Sequence, residues 1–191
     1  MSQEEAFGRG RIRLVKGDIT DLPIEAFVYY ARPDLVLGAG FGTAISVRGG
    51  PSIQEQLRKL APVATGDAVV TGGGNMKAKY IIHAVGPRFQ EKNTEEKLRA
   101  TTLSVLKRAD EHGIKRLAFP AMGAGFYGVP LEVGAEVVLS TVDAYLRGQT
   151  GIEEVVFCLI DTREFVPYQV QLAALGGSPG VGPNAGGGRK T

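Results

Sequence analysis

Short apolar runs alternate with helix-periodic segments along nearly the whole chain, and this alternation restricts the fold more than any other feature. Arg11 to Val15 alternates polar and apolar residues, which reads as a strand with one exposed face, at a sheet edge. Glu25 to Tyr30, Asp67 to Thr71, Lys79 to Val85, Lys115 to Phe119 and Glu153 to Ile160 read as further strands, several of them apolar on both faces. Between them, Ile53, Leu57 and Leu60 follow Pro51 at helical spacing. Thr94 is placed to cap a helix with Glu95 and Glu96 in its first turn, a buried stripe including Leu98, Val105 and Leu106, and Gly113 at its end. A helix from about Leu131 presents Ala135, Val138, Leu139, Val142 and Leu146 on one face, and Phe165, Tyr168, Leu172 and Leu175 mark a closing one. Strands buried on both faces and alternating with helices predict an α/β fold, a three-layer α-β-α sandwich around a mixed, mainly parallel sheet.

A chain of 191 residues accommodates one such domain. The expected organisation is an N-terminal extension over 1–10, a folded body over 11–175 and a flexible tail over 176–191, where Gly, Pro, Ser and Asn leave little to bury. No apolar run approaches the ~18 residues that cross a bilayer, and Met1 to Glu5 is acidic where a signal peptide is basic, so a cytoplasmic, membrane-free protein is expected. Cys158 is the single cysteine, which rules out an internal disulfide or a cysteine-cluster metal site, and neither metal nor cofactor is expected. The net charge of +2 is carried by Arg189 and Lys190 of the tail, so the body is neutral and duplex nucleic acid is a poor candidate partner.

Glycine placement is the most informative local signal. Gly38-Ala39-Gly40-Phe41-Gly42 and Gly123-Ala124-Gly125-Phe126-Tyr127-Gly128 share one pattern. The second lies between a strand and a helix, where bare N–H groups and a helix N-terminus converge and missing side chains let an anion approach. One such loop alone reads as a tight turn; two of them point to a diphosphate held from both sides. The second loop matches G-x-G-x-x-G in form, but that fingerprint needs an early strand and an acid about twenty residues on, after the next strand. Here the residue at that spacing, Asp143, falls within a predicted helix. Neither loop ends in Gly-Lys-Ser or Gly-Lys-Thr, so P-loop chemistry is unsupported.

Several ordered motifs carry a family resemblance over residues 11–175: Gly17-Asp18-Ile19-Thr20 after the first strand, the first glycine loop with Ala44-Ile45 and Gly49-Gly50, Thr71 to Asn75, Tyr80 to Pro87, and Phe119 to Glu132. Together they resemble the macro domain family. The resemblance implies an ADP-ribose pocket at the C-terminal ends of the strands. Asp18 would accept from the adenine amino group, with the Ile19 amide beside the ring. Gly38, Ala39, Gly40 and Phe41 would border the diphosphate and distal ribose. Gly123, Ala124, Gly125, Phe126 and Tyr127 would wrap the phosphates. A carboxylate can read an amino group and amides tolerate a charged diphosphate, although Asp18 alone also reads as a turn or capping residue. The implied partner is ADP-ribose or an ADP-ribosylated macromolecule, and the tail charges leave room for poly(ADP-ribose) or RNA; the oligomeric state is not encoded in any motif.

The resemblance breaks where hydrolases of the family work. Their Asn-Ala-Ala-Asn motif is replaced by Tyr29-Tyr30-Ala31-Arg32, and the aspartate many carry in the first glycine loop is replaced by Gly42. Tyr30 and Arg32 become the expected distal-ribose contacts, Arg32 being either a phosphate partner or a solvated side chain. Ile160 takes the place of an aromatic that stacks on adenine. His83, His112 and Cys158 read as structural, so no catalytic residue is assigned. The primary expectation is a binding module. The alternative is an ADP-ribosyl hydrolase or O-acyl-ADP-ribose deacylase whose water is activated without the usual pair, for instance by the ligand's own diphosphate.

Overall fold

The computed structural model describes residues 4–9 and 11–175, and the expected tail over 176–191 lies outside the described residues. Seven strands form one sheet: β1 (Glu4–Arg9), β2 (Ile12–Lys16), β3 (Ala26–Tyr30), β4 (Ala68–Gly72), β5 (Tyr80–Ala84), β6 (Arg116–Phe119) and β7 (Glu154–Leu159). Five helices connect them: α1 (Phe41–Gly49), α2 (Ser52–Leu60), α3 (Thr94–Glu111), α4 (Leu131–Leu146) and α5 (Thr162–Ala174). The strand order is β1-β2-β7-β6-β3-β5-β4. The interior pairs β2/β7, β7/β6, β6/β3 and β3/β5 are parallel, and the outer pairs β1/β2 and β4/β5 are antiparallel.

Strand alternation sorts the core into two layers. From β3, Ala26, Val28 and Tyr30 join Leu98 and Leu106 of α3, Val138 and Leu139 of α4 and Tyr168 of α5. Phe27 and Tyr29 enter the opposite layer with Ile45 of α1 and Ile53 and Leu57 of α2. The three-layer sandwich and the mixed sheet are therefore as the sequence predicts. The exposed edge of β4 is blunted by side chains: the Gln56 amide oxygen accepts from Gly72 N–H at 3.0 Å, and Arg108 Nε donates to the Ala68 carbonyl at 2.9 Å.

Three local expectations are corrected. The strand after Arg11 is not an edge, because residues 4–9 of the expected N-terminal extension form β1 and pair with it. A helix, α1, follows the first glycine loop where periodicity gave no signal; it contains Gly42 and Gly49, poor helix formers, and is held by burial of Ile45. Thr94 does not cap α3. Asn93 occupies the cap position at φ +59° without a side-chain bond, and the Thr94 hydroxyl donates backwards to the carbonyls of Phe89 and Glu91 at 2.8 and 2.7 Å. Among the described residues no helix is long and apolar enough to cross a membrane, and no group of His, Cys, Asp or Glu side chains could hold a metal ion.

Candidate functional site

Parallel pairing brings the C-terminal ends of β2, β7, β6 and β3 to one edge of the sheet, and open α/β sheets bind ligands outside that edge. A cleft of about 1140 Å³ runs along it. The segment after β2 contributes Asp18 and Ile19, the one after β7 contributes Ile160, the one after β6 contributes Ala124 and Gly125, and the loop leading into α1 contributes Gly40 and Phe41. A smaller hollow of about 470 Å³ at the start of α3 is lined by neither glycine loop.

Asp18 has two roles available because its two oxygens face different partners. Oδ1 accepts from Thr20 N–H at 2.9 Å and from the Thr20 hydroxyl at 2.6 Å, capping a single 3-10 turn over Ile19–Asp21. Oδ2 lies 3.3 Å from Arg48 Nη2 on α1. Both side chains are nearly half exposed, so this pair contributes little stability, about 0–1 kcal/mol. Its effect is orientation: the capping oxygen is committed to Thr20 and the second oxygen faces Arg48. Nothing in the sequence pairs Arg48 with Asp18, since the contact spans the first strand crossover.

The glycine loops expose backbone. Gly40, at φ +65°, leads into α1, and a β-carbon on Gly38 or Gly40 would meet nothing within 4 Å. Gly123 and Gly125, at φ +76° and +72°, make the second bend; the space beside Gly125 is open, whereas Val129 fills the space beside Gly123. Phe41 does not plug the cleft, because its ring turns inward onto Phe27 and Tyr29 at centroid distances of 6.1 and 5.0 Å. Phe126 is 82% exposed with the Arg88 guanidinium 5.5 Å above its ring.

Of the sequence-derived site residues, the cleft is lined by Asp18, Ile19, Gly40, Phe41, Ala124 and Gly125. Gly38, Ala39, Gly123, Phe126 and Tyr127 flank it within the same loops without lining it. Tyr30, expected beside a distal ribose, is instead buried: its hydroxyl donates to the Pro87 carbonyl and its ring packs on Tyr127. Alternation along β3 sends it into the layer of α3 and α4. Arg32 is half exposed and ion-paired with Asp34 at 2.6 Å. The shoulder formed by Ile160 was readable in Asp161-Thr162-Arg163-Glu164, a capping-box spacing. Asp161 Oδ1 accepts from Glu164 N–H at 3.0 Å, and the Glu164 carboxylate accepts from Ile160 N–H at 2.9 Å.

Neither Cys158 nor His83 is poised as a nucleophile or base near neutral pH. Cys158 lines the cleft floor but is 3% exposed, and burial, with the nearby Asp18 and Glu164 charges, pushes its thiol up to about 12. His83 is fully buried, which pushes its imidazole down to about 3, and its Nε2 lies 2.8 Å from the Thr71 hydroxyl. Tyr29 is raised above the usual phenol range chiefly by burial. Its oxygen stands beside the Gly38 amide and 2.8 Å from the position of a β-carbon on Gly42.

Comparison with known proteins matches this arrangement to one family. The Macro domain model matches residues 31–138. A macro domain-containing protein of Caldanaerobacter subterraneus subsp. tengcongensis is 42% identical over 164 residues, covering 83% of this chain and 93% of the relative. A solved structure of the Oceanobacillus iheyensis macrodomain with ADP superposes with a TM-score of 0.83 at 25% identity, covering 90% of this chain and 95% of that one. The Trypanosoma brucei macrodomain in complex with ADP-ribose gives 0.80 at 26% identity, covering 85% and 69%.

Proposed function

The chain belongs to the macro domain family, and on that premise we propose that its cleft binds ADP-ribose, free or carried by a macromolecule or an acyl group. The observation that carries this reading is that Asp18, Gly40 and Gly125 line one continuous cleft although they follow three different strands. The adenine amino group donates to Asp18 Oδ2, with Ile160 supplying an apolar surface under the ring. The diphosphate sits between the amides of Gly38 to Phe41 and those of Gly123 to Tyr127, in bends that the positive-φ residues Gly40, Gly123 and Gly125 make. Arg32, at the far end, pairs with an anionic or hydroxyl-rich group of the distal ribose once it leaves Asp34. The neighbours from Oceanobacillus iheyensis and Trypanosoma brucei, solved with ADP and ADP-ribose, support the same ligand class.

Binding without turnover is favoured over the hydrolase or deacylase alternative. The Tyr29 hydroxyl crowds the place where a side chain at position 42 would begin, and neither His83 nor Cys158 is tuned to activate water. Calorimetric titration with ADP-ribose and with AMP tests the binding. Tighter binding of ADP-ribose than of AMP is expected; equal affinity, or no heat with either, removes the diphosphate argument. Incubation with ADP-ribosylated protein and with acyl-ADP-ribose tests the alternative, and product above an enzyme-free blank would establish it.

A further inference from the structure

Two adjacent tyrosines end β3, and because strand side chains alternate they enter opposite layers of the sandwich. Each comes to rest under a different glycine loop. The Tyr29 ring stands edge-on to Phe41, and its hydroxyl is placed between the Gly38 amide and Gly42, the two ends of the first loop. The Tyr30 ring stands 4.6 Å from that of Tyr127, and its hydroxyl lies 3.5 Å from the β-carbon position of Gly123, the two ends of the second loop. The same hydroxyl is bonded to the Pro87 carbonyl, and the ring takes the space beside Gly86, where no side chain fits. Neither tyrosine lines the cleft.

A site made of backbone amides binds an anion well only if the amides are already aimed, since ordering a glycine-rich loop at the moment of binding costs conformational entropy. We propose that Tyr29 and Tyr30 are paired positioning residues, each fixing one glycine loop from beneath so that the amides of both loops face the diphosphate together. The proposal rests on the ADP-ribose reading and deepens it. It accounts for why one β3 terminus serves both loops: β3 lies between β6, which leads into the second loop, and β5, while its own continuation becomes the first. Two consecutive residues on that strand reach both sides of the sheet, which no residue on a helix could do.

Tyr29→Phe and Tyr30→Phe each remove one oxygen and keep the ring. Backbone amide exchange should quicken over 38–42 in the first variant alone and over 123–127 in the second alone. In calorimetric titrations each variant should lose about five- to tenfold in ADP-ribose affinity, the range of one modest hydrogen bond, while AMP affinity holds because AMP lacks a second phosphate to span the loops. Unchanged exchange and unchanged affinity in both variants overturn the proposal. So does a parallel loss of ADP-ribose and AMP binding, which a general loss of structure would give. Loop-specific exchange in a protein whose wild type binds neither nucleotide supports the anchoring and overturns the ADP-ribose reading instead.

Discussion

The hydroxyl of Tyr29 stands 2.8 Å from the point a β-carbon on Gly42 would occupy, and the Leu37 carbonyl carbon lies 3.0 Å from the same point. A side chain at position 42 therefore requires the Tyr29 hydroxyl or the Leu37 backbone to shift. The Tyr29 phenol on β3 thereby crowds the start of any side chain that position 42 could carry.

Coupling between the two positions follows. Gly42→Ala should destabilise the wild type by about 1–2 kcal/mol, an overpacking cost that exceeds the gain of roughly 0.5–1 kcal/mol from replacing glycine in a helix. In a Tyr29→Phe background the same substitution should cost less, since the nearest atom is gone, but not nothing, because Leu37 remains. Urea denaturation of the four proteins in a double-mutant cycle measures it, and strict additivity would show that the contact carries no energy.

Asp18 separates capping from recognition. Asp18→Asn keeps a good cap for Thr20 N–H, so stability should change little, whereas Asp18→Ala should cost about 1 kcal/mol. Both should weaken ADP-ribose, Asp18→Asn because the ion pair with Arg48 is lost and the amide no longer presents an acceptor-only edge to the adenine amino group. Paired denaturation and calorimetry check this. Full ADP-ribose affinity in Asp18→Asn would reduce Asp18 to a cap.

Acid should destabilise the fold through His83. In the unfolded chain this imidazole takes up a proton near pH 6.5, whereas in the folded protein burial holds it neutral down to about 3. Stability is complete above pH 6.5 and is lost as pH falls from there towards 3, by at most about 1.4 kcal/mol per unit from this one group. His83→Phe retains the ring contact with Tyr29 and leaves the Thr71 hydroxyl bonded to the Gly72 carbonyl. Urea midpoints at pH 7 and pH 5 should therefore differ less in the variant than in the wild type; equal differences would refute the assignment.

Cys158 should resist maleimide in the native protein and react once unfolded, because its thiol is buried and held neutral. Rapid native labelling, followed by mass spectrometry, would show that the cleft floor opens.

The sandwich was legible because β3, β5, β6 and β7 are short, largely apolar and bounded by turn residues, and because α4 and α5 keep helical periodicity, whereas β2, with its alternating polar residues, reads as an edge. Asp18 and the two glycine loops were legible through their motifs. What the sequence hid depends on tertiary contact. Helix α1 has little amphipathic pattern and exists because Ile45 packs under the sheet. The reach of Arg48 to Asp18 crosses from a helix to a distant loop. Tyr29 and Tyr30 are neighbours in the motif, but a strand's period of two separates their side chains by the full thickness of the sheet.

A crystal structure with ADP-ribose bound tests the central claim most directly. The account predicts adenine against Asp18 and Ile160, and a diphosphate within hydrogen-bonding distance of backbone amides from both the Gly38 to Phe41 and the Gly123 to Tyr127 segments. A diphosphate held by one loop alone, or a ligand seated outside this cleft, would contradict it.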